Sequence, residues 1–281
     1  MIKKMENNIL LLVKPNDNAA IQAGKIINEW ALNQKIKIID VSQQAEIIKE
    51  SVLKNIKLGV TIGGDGSLLT LFRRLEKKDL FPLLAVNIGR LGFITQVSRQ
   101  KMVEVVSSVF QGKCSEDNRF LLEIELWREN HCVDTGVVFN EAAITRDVRS
   151  SIFEMEIFVS QSLLSQIRAD GLVVATSTGS TGYALSAGGP IIHPDVMSIL
   201  LNPVCSHSLS SRSVIVSLDQ NVEIVLKHVR GTVYLVYDGQ INVELKEGDK
   251  IRVKKSVTQV RLIKGIEEDW ISVVRSKLHL T

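Results

Sequence analysis

Short apolar runs alternate with helical patterns along residues 8–110, and this alternation constrains the fold more than any other feature of the chain. Ile9–Val13 is typical of a buried strand, and Ala19–Asn33 carries its apolar residues at helical spacing. Further strands are predicted at 36–41, 58–62 and 83–87, and further helices at 43–53, 67–75 and 102–110. Because regular alternation of strand and helix is typical of βαβ units, the sequence predicts an N-terminal α/β domain with a mostly parallel sheet.

The pattern changes near residue 120. Leu122, Ile124 and Leu126 alternate with charged residues, and a predicted turn at Glu129-Asn130 returns the chain along 132–139, which is typical of an antiparallel sheet. Further strands are predicted at 153–159, 163–168, 222–227, 232–237, 251–253 and 257–263, with one short helix near 179–187. We therefore expect a domain at 1–117, a β-rich domain at 118–265, and a tail at 266–281 that packs back on the first domain.

Composition and charge exclude several classes of protein. Apolar residues make up 45% of the 281 residues and the formal net charge is +3, so the chain is not disordered. No run of like charges is longer than three residues, which gives little support to nucleic-acid binding. The three cysteines form no CxxC pair, which fits a reducing compartment, and we expect a cytoplasmic protein.

Residues 171–194 contain no Asp, Glu, Lys or Arg and are numerous enough to cross a bilayer, which takes about 20 residues. Gly, Ser and Thr fill nearly half of this segment, however, and such a helix would insert poorly. We expect no membrane association. The hydroxyls and glycines instead suit a flat polar ligand that carries phosphates and ribose hydroxyls. A flexible linker is the alternative, and Tyr183 and Leu185 argue against it.

A glycine-rich loop, Gly63-Gly64-Asp65-Gly66-Ser67, lies between a predicted strand and a predicted helix. Open α/β sheets bind ligands at this position, and glycines there let backbone amides approach phosphate at a helix N-terminus. A turn with Asp65 as a helix cap is the alternative that spacing leaves open. The loop is neither a Walker A loop nor a GxGxxG motif, and its carboxylate indicates a proton acceptor or a metal ligand.

Taken together, the motifs of the chain resemble those of the bacterial NAD kinase family. They are GGDGS at 63–67, LGFIT at 91–95, FNEAAITR at 139–146, DGLVVATSTGSTGYALSAGGPI at 170–191, HSLSSR at 207–212 and DGQ at 238–240. The resemblance covers about residues 55–265. It implies a Rossmann-like α/β N-terminal domain plus a β-rich, β-sandwich-like C-terminal domain, as in the NAD kinase and diacylglycerol kinase-like superfamily.

The resemblance also implies an activity: transfer of the γ-phosphate of ATP to the 2′-hydroxyl of the adenosine ribose of NAD, yielding NADP. A divalent cation, expected to be Mg²⁺, would bind the triphosphate. Asp65 matches the catalytic aspartate that takes the hydroxyl proton, and Gly66 lies beside it on NAD. Asn140 and Glu141 match a dinucleotide-binding pair. The other implied binding residues are Ser151, Arg168, Asp170, Thr178, Thr181, Gly182, Tyr183, Ala184, Leu185, Ser186 and Gln240.

The sequence departs from the family pattern at three positions. Ser67 stands where Thr or Asn is frequent, and Ser213 stands where proline is usual. Thr70 stands where many members have a basic residue, so neutralisation of phosphate charge would fall more to the metal or to another arginine such as Arg90.

Two other functions stay open at this stage. A lipid kinase of the diacylglycerol kinase type shares the GGDG element, but it needs an apolar groove that the hydroxyl-rich segment does not offer. A non-catalytic NAD or NADP sensor would use the same residues without turnover. The scattered histidines lack metal-ligand spacing, so we expect no metal held by the protein alone. Edge strands need cover, and with the resemblance this predicts a homodimer or homotetramer.

Overall fold

Two compact units make up the chain. The structure is a computed structural model that describes residues 7–89, 92–95, 97–208, 211–265 and 270–279. One unit consists of the residues up to Arg119 together with those from Gln259 onward, and the other is Phe120–Thr258. The predicted domain limits at 117/118 and 265/266 stay predictions.

The first unit contains a parallel sheet flanked by helices. Its elements are β1 (Asn8–Val13), α1 (Asn18–Asn33), β2 (Ile38–Asp40), α2 (Glu50–Leu53), β3 (Ile56–Gly63), α3 (Asp65–Arg74), β4 (Leu83–Asn87), β5 (Val97–Ser98) and α4 (Met102–Phe110). The strand order is β2-β1-β3-β4, with β5 paired in parallel to β4. Ile27 of α1, Val60 of β3 and Val106 of α4 are fully buried in one apolar cluster. The predicted α/β domain is confirmed.

The helix predicted over 43–53 is wrong for most of its length, because only α2 is helical there. Arg74 supplies the reason. Its buried guanidinium donates to the carbonyls of Val41 (2.9 Å) and Glu46 (3.1 Å), and the amide of Glu50 donates to the Glu76 carboxylate rather than back to Glu46. These tertiary hydrogen bonds outweigh the local helical periodicity.

The second unit is a sandwich of two antiparallel sheets. Its elements, two of which extend into the first unit along the chain, are β6 (Glu116–Arg128), β7 (His131–Val138), β8 (Glu141–Arg146), β9 (Phe153–Val159), β10 (Ser162–Ala169), β11 (Gly171–Thr176), a 3₁₀ turn (Thr178–Thr181), α5 (Tyr183–Ser186), β12 (Ser198–Val204), β13 (Val214–Ser217), β14 (Val222–Lys227), β15 (Val233–Tyr237), β16 (Ile241–Leu245) and β17 (Lys250–Ile263). One sheet has the order β13-β12-β11-β8-β15-β16, and the other contains β10-β9-β14-β17 with the hairpin β6-β7. The predicted β-rich domain is confirmed.

One apolar core fills the space between these two sheets. Ile144, Val174 and Leu235 enter it from the first sheet, and Ile157 and Ile224 from the second. The predicted Glu129-Asn130 turn is confirmed, because both residues have positive φ, 48° and 63°. Residues predicted as two strands at 251–253 and 257–263 form the single strand β17.

The uncharged segment begins as a central strand. β11 is buried along its whole length between β8 and β12, and the sequence analysis missed all three of these strands. The part of the chain that the structure describes contains no helix long and apolar enough to span a membrane.

A C-terminal helix, α6 (Trp270–Leu278), completes the first unit. Val273 and Val274 are buried, and the ammonium group of Lys277 lies 5.5 Å from the centre of the Phe93 ring.

Candidate functional site

Asp65 is the first residue of α3, directly after the buried strand β3. The helix begins two residues earlier than the sequence predicted, because the Ser67 amide donates to the Gly64 carbonyl (2.9 Å) and starts the first turn. A carboxylate in the first turn of a helix is stabilised by the helix dipole.

Residues 93–95, part of the LGFIT motif, hold the Asp65 carboxylate. The backbone amides of Phe93 (3.0 Å), Ile94 (3.3 Å) and Thr95 (3.0 Å) donate to it, as does the Thr95 hydroxyl (2.8 Å). Three of these bonds end on Oδ1 and one on Oδ2. Gly92 has no room for a side chain, because a Cβ there would lie 2.0 Å from Asp65 Oδ1. The loop therefore fixes the carboxylate and leaves accepting capacity on Oδ2.

A cavity of about 370 Å³ lies beside the N-terminus of α3. Its lining residues are Leu12, Lys14, Pro15, Gly64, Gly66, Ser67 and Thr70. Gly64 and Gly66 present open backbone, since a Cβ at either would meet nothing within 4 Å. Lys14 contributes a cation whose ammonium lies 3.4 Å from Asp17 Oδ2. Open backbone, a helix N-terminus and an ammonium group favour an anionic ligand such as a phosphate chain.

In the second unit, Asp238 organises the loop between β7 and β8. It lies in a turn in which Asp238 (46°) and Gly239 (72°) both have positive φ, as a type I′ turn requires. Its buried carboxylate accepts the amides of Phe139 (2.8 Å), Asn140 (2.7 Å) and Glu141 (3.1 Å). Asn140 thus lies in the loop, and Glu141 begins β8.

The side chains of Asn140 and Glu141 retain unused hydrogen-bonding capacity. Asn140 Oδ1 and Glu141 Oε2 are buried and have no hydrogen-bond partner among the described residues. Burial, and then the charge of Asp238, raise the pKa of Glu141 to about 8, while a hydrogen bond from the Tyr183 amide opposes the shift. Gly182 lies alongside, since a Cβ there would be 3.0 Å from Glu141 Oε2. An unpartnered amide oxygen beside an unpartnered carboxyl oxygen favours a ligand with hydroxyl groups, which can both donate and accept hydrogen bonds.

Hydroxyl groups of the uncharged segment mostly bind backbone groups, of the segment itself or of the adjoining chain. Thr176 Oγ1 donates to the Phe139 carbonyl (2.8 Å) and accepts the Gly179 amide (2.9 Å), while Thr181 Oγ1 donates to the Thr178 carbonyl (3.1 Å). The hydroxyls that suggested ligand contacts in the sequence therefore stabilise the turn. Tyr183, which follows the turn, is half-exposed.

The remaining predicted binding residues belong to the second unit, and most of them are at least partly exposed. Arg168 pairs with Glu154 (3.1 Å), and Asp170 accepts the Arg146 guanidinium (2.6 Å). Arg146 also donates to the carbonyls of residues 147, 148 and 150, and so fixes the loop that leads to Ser151. Ser151 and Gln240 are exposed. Ala184 is buried on the sheet, whereas Leu185 and Ser186 are partly and fully exposed, respectively.

Some predictions fall outside the described residues or were incomplete. Arg90 and the first residue of LGFIT are not described, nor are two residues of HSLSSR. Asp238 was predicted only as part of the DGQ motif, and nothing local indicates that it binds residues about a hundred positions away. Among the described residues, no three His, Cys, Asp or Glu side chains come together as metal ligands.

Known protein families match this chain along most of its length. Residues 9–114 match the model of the ATP-NAD kinase N-terminal domain, and residues 139–265 match that of the C-terminal domain. The NAD kinase of Geotalea daltonii is 32% identical over 279 residues, which cover 96% of this chain and 97% of the relative. The NAD kinase of Magnetococcus marinus is 34% identical, with 97% and 93% covered.

A solved structure is also similar. The crystal structure of yeast NADH kinase complexed with NADH matches with a TM-score of 0.86 at 25% identity, covering 99% of this chain and 89% of that one. The two domain models together match more than two thirds of the 281 residues, and the curated relatives match nearly from end to end. The chain belongs to the ATP-NAD kinase family.

Proposed function

We propose that this protein transfers the γ-phosphate of ATP to the 2′-hydroxyl of the adenosine ribose of NAD and so makes NADP. The observation that carries this function is the Asp65 carboxylate, fixed by the loop 93–95 beside a glycine-lined cavity at a helix N-terminus. Phosphoryl transfer needs this combination, because the protein mainly positions the reacting groups and neutralises charge.

Asp65 acts as the proton acceptor for the attacking hydroxyl. Three of its four hydrogen bonds end on Oδ1, so Oδ2 is the oxygen left to accept the hydroxyl proton. General-base help of this kind typically contributes about 10² to 10⁴ in rate. The bare backbone of Gly64 and Gly66 allows phosphate and ribose to approach closely.

Mg²⁺ enters as part of the substrate, Mg·ATP. Mg²⁺ in kinases keeps several waters and is held by phosphates with one or two carboxylates, so it needs no cluster of protein ligands. The open backbone of Gly64 and Gly66 and the Lys14 ammonium group line the cavity that the phosphates of Mg·ATP would enter.

The second unit binds the dinucleotide through Asn140, Glu141 and the residues of the 3₁₀ turn and α5. The unpartnered buried oxygens of Asn140 and Glu141 suit ligand hydroxyls, and the half-exposed Tyr183 side chain suits a flat base. Arg168, Asp170, Ser151 and Gln240 contribute at the periphery. We propose further that the protein is cytoplasmic and forms a homodimer or homotetramer.

A coupled assay tests this function by measuring NADP formed from NAD and Mg·ATP. Wild-type protein should form NADP, and Asp65→Asn should lose about 10² to 10⁴ in kcat while it retains NAD binding by calorimetry. Asp219→Asn, at a carboxylate that is 83% exposed, is the matched control and should leave kcat unchanged.

Two results would contradict the proposal. Folded wild-type protein that binds NAD but forms no NADP would be a dinucleotide sensor. Full activity in Asp65→Asn would remove the aspartate from the mechanism.

A further inference from the structure

Asn202 of β12 is a buried polar residue to which the proposed function assigns no role. Its side chain is 1% exposed and projects from the same sheet face as Leu200, which packs with Ala184 of α5. Its Nδ2 donates to the carbonyls of Ala187 (3.2 Å) and Ala184 (3.4 Å). The sheet thus contacts the C-terminal end of α5 through both apolar and polar groups.

This contact matters because α5 is only four residues long and cannot be stable alone. The helix ends in a Schellman arrangement, in which Gly189 donates to the Ala184 carbonyl (2.9 Å), Gly188 donates to the Leu185 carbonyl (3.0 Å), and Gly188 has a φ of +79°. These bonds end the helix but do not fix its position on the sheet. Asn202 supplies that placement from outside the helix.

Ser213 sets the orientation of the Asn202 amide. Its hydroxyl donates to Asn202 Oδ1, which turns the amino group toward the α5 carbonyls. Without this donor the amide can rotate, and its oxygen would then face other carbonyl oxygens. Ser213 is also a position where the sequence departs from the family pattern, and a proline there has no hydroxyl to donate.

At the opposite end of α5 lies the dinucleotide-binding pair of the proposed function. The Tyr183 amide hydrogen-bonds the Glu141 carboxyl group, and Gly182 lies against the same group. A shift of α5 along the sheet would therefore move Tyr183 relative to Glu141. The short helix is held at one end by Asn202 and at the other by Glu141.

We propose that Asn202 and Ser213 are positioning residues for dinucleotide binding, which fix α5 so that Tyr183 and Glu141 keep the spacing that the ligand requires. This inference rests on the proposed function. The side-chain hydrogen bonds described for the two residues join them to each other and to the C-terminal end of α5, so their effect should fall on the dinucleotide and not on ATP or on the transfer step.

The test compares KM for NAD, KM for ATP and kcat among variants. Asn202→Leu keeps the side-chain volume on an apolar face and removes both hydrogen bonds, so it should raise KM for NAD about tenfold with little change in the other two constants. Ser213→Ala should raise it about threefold, and Ser213→Thr should restore it. Because both changes act through one amide, the double variant should be no worse than Asn202→Leu alone. Ser217→Ala, an exposed hydroxyl on β13, is the control.

Calorimetric binding of NAD to the same variants separates this inference from the proposed function. If the wild type binds NAD without forming NADP, the kinase function fails, and weaker binding by Asn202→Leu still supports the positioning role. Equal NAD affinity in wild type and Asn202→Leu overturns it. A lower kcat together with similar increases in KM for NAD and KM for ATP and a lower Tm would also overturn it, because that pattern marks a general structural role. Wild-type protein that does not bind NAD overturns both proposals.

Discussion

Asp65 and Asp238 have nearly the same hydrogen-bond surroundings and opposite uses. Each carboxylate accepts backbone amides from three consecutive residues of a loop, 93–95 for Asp65 and 139–141 for Asp238. Asp65, however, is partly exposed beside a cavity, whereas Asp238 is 5% exposed. In the first case the loop positions a carboxylate for use, and in the second the carboxylate positions a loop. Solvent access, rather than hydrogen bonding, separates the two roles.

The comparison is tested most severely by Asp238→Asn. The new amino group would face amides that also donate, in a place that water does not reach, so the free energy of unfolding should fall by about 3 kcal/mol. Asp65→Asn should cost about 1 kcal/mol, since water can compensate at the cavity. Urea unfolding of both variants measures the difference, and equal losses would show that exposure does not separate the two sites.

Gly92→Ala tests whether the loop 93–95 positions the Asp65 carboxylate. An added Cβ would lie 2.0 Å from Asp65 Oδ1 and 2.2 Å from Thr95 Oγ1, so the carboxylate must move. Displacement of a reacting group by about 1 Å can reduce the rate about 10²-fold, and we expect a loss of that size in kcat. Gly89→Ala is the matched control, because a Cβ there meets nothing within 4 Å. Similar kinetics for both alanine variants would contradict the role of the loop.

Glu141, whose backbone amide binds Asp238, should make the stability of the protein depend on pH. Its folded-state pKa of about 8 lies above the ordinary value of 4.5, so the folded protein keeps a proton that the unfolded chain releases between these values. The contribution of Glu141 to the free energy of unfolding is therefore fully present below about pH 4.5 and is lost as pH rises toward 8.

Glu141→Gln should remove this dependence, which amounts to about 5 kcal/mol across the range for a pKa difference of about 3.5 units. Urea unfolding at several pH values measures the slope. Glu129→Gln, in the exposed hairpin turn, should leave the slope unchanged. A wild-type slope identical to that of Glu141→Gln would show that the buried carboxyl group does not hold its proton.

The first unit was more predictable from sequence than the second, and the reason is the range of the interactions involved. β3, the glycine loop and α3 follow one another, so the position of Asp65 at a strand end could be predicted from local pattern. β11 was missed because it is buried on both faces and shows no alternation of apolar and polar residues. Asp238 contacts Asn140 across 98 positions of sequence, and no local pattern indicates such a contact.

The helix α3 is tethered at both ends by the side chains of its terminal residues. Asp65 is bound to residues 93–95, and Arg74 is bound to the carbonyls of Val41 and Glu46. The two tethers are about 14 Å apart along the helix axis. Neither sliding nor rotation of the helix can occur without breaking bonds at both ends. The thermal motion of the Asp65 carboxylate should therefore be small, and the amides of residues 93–95 that bind it should exchange hydrogen slowly even before any substrate arrives.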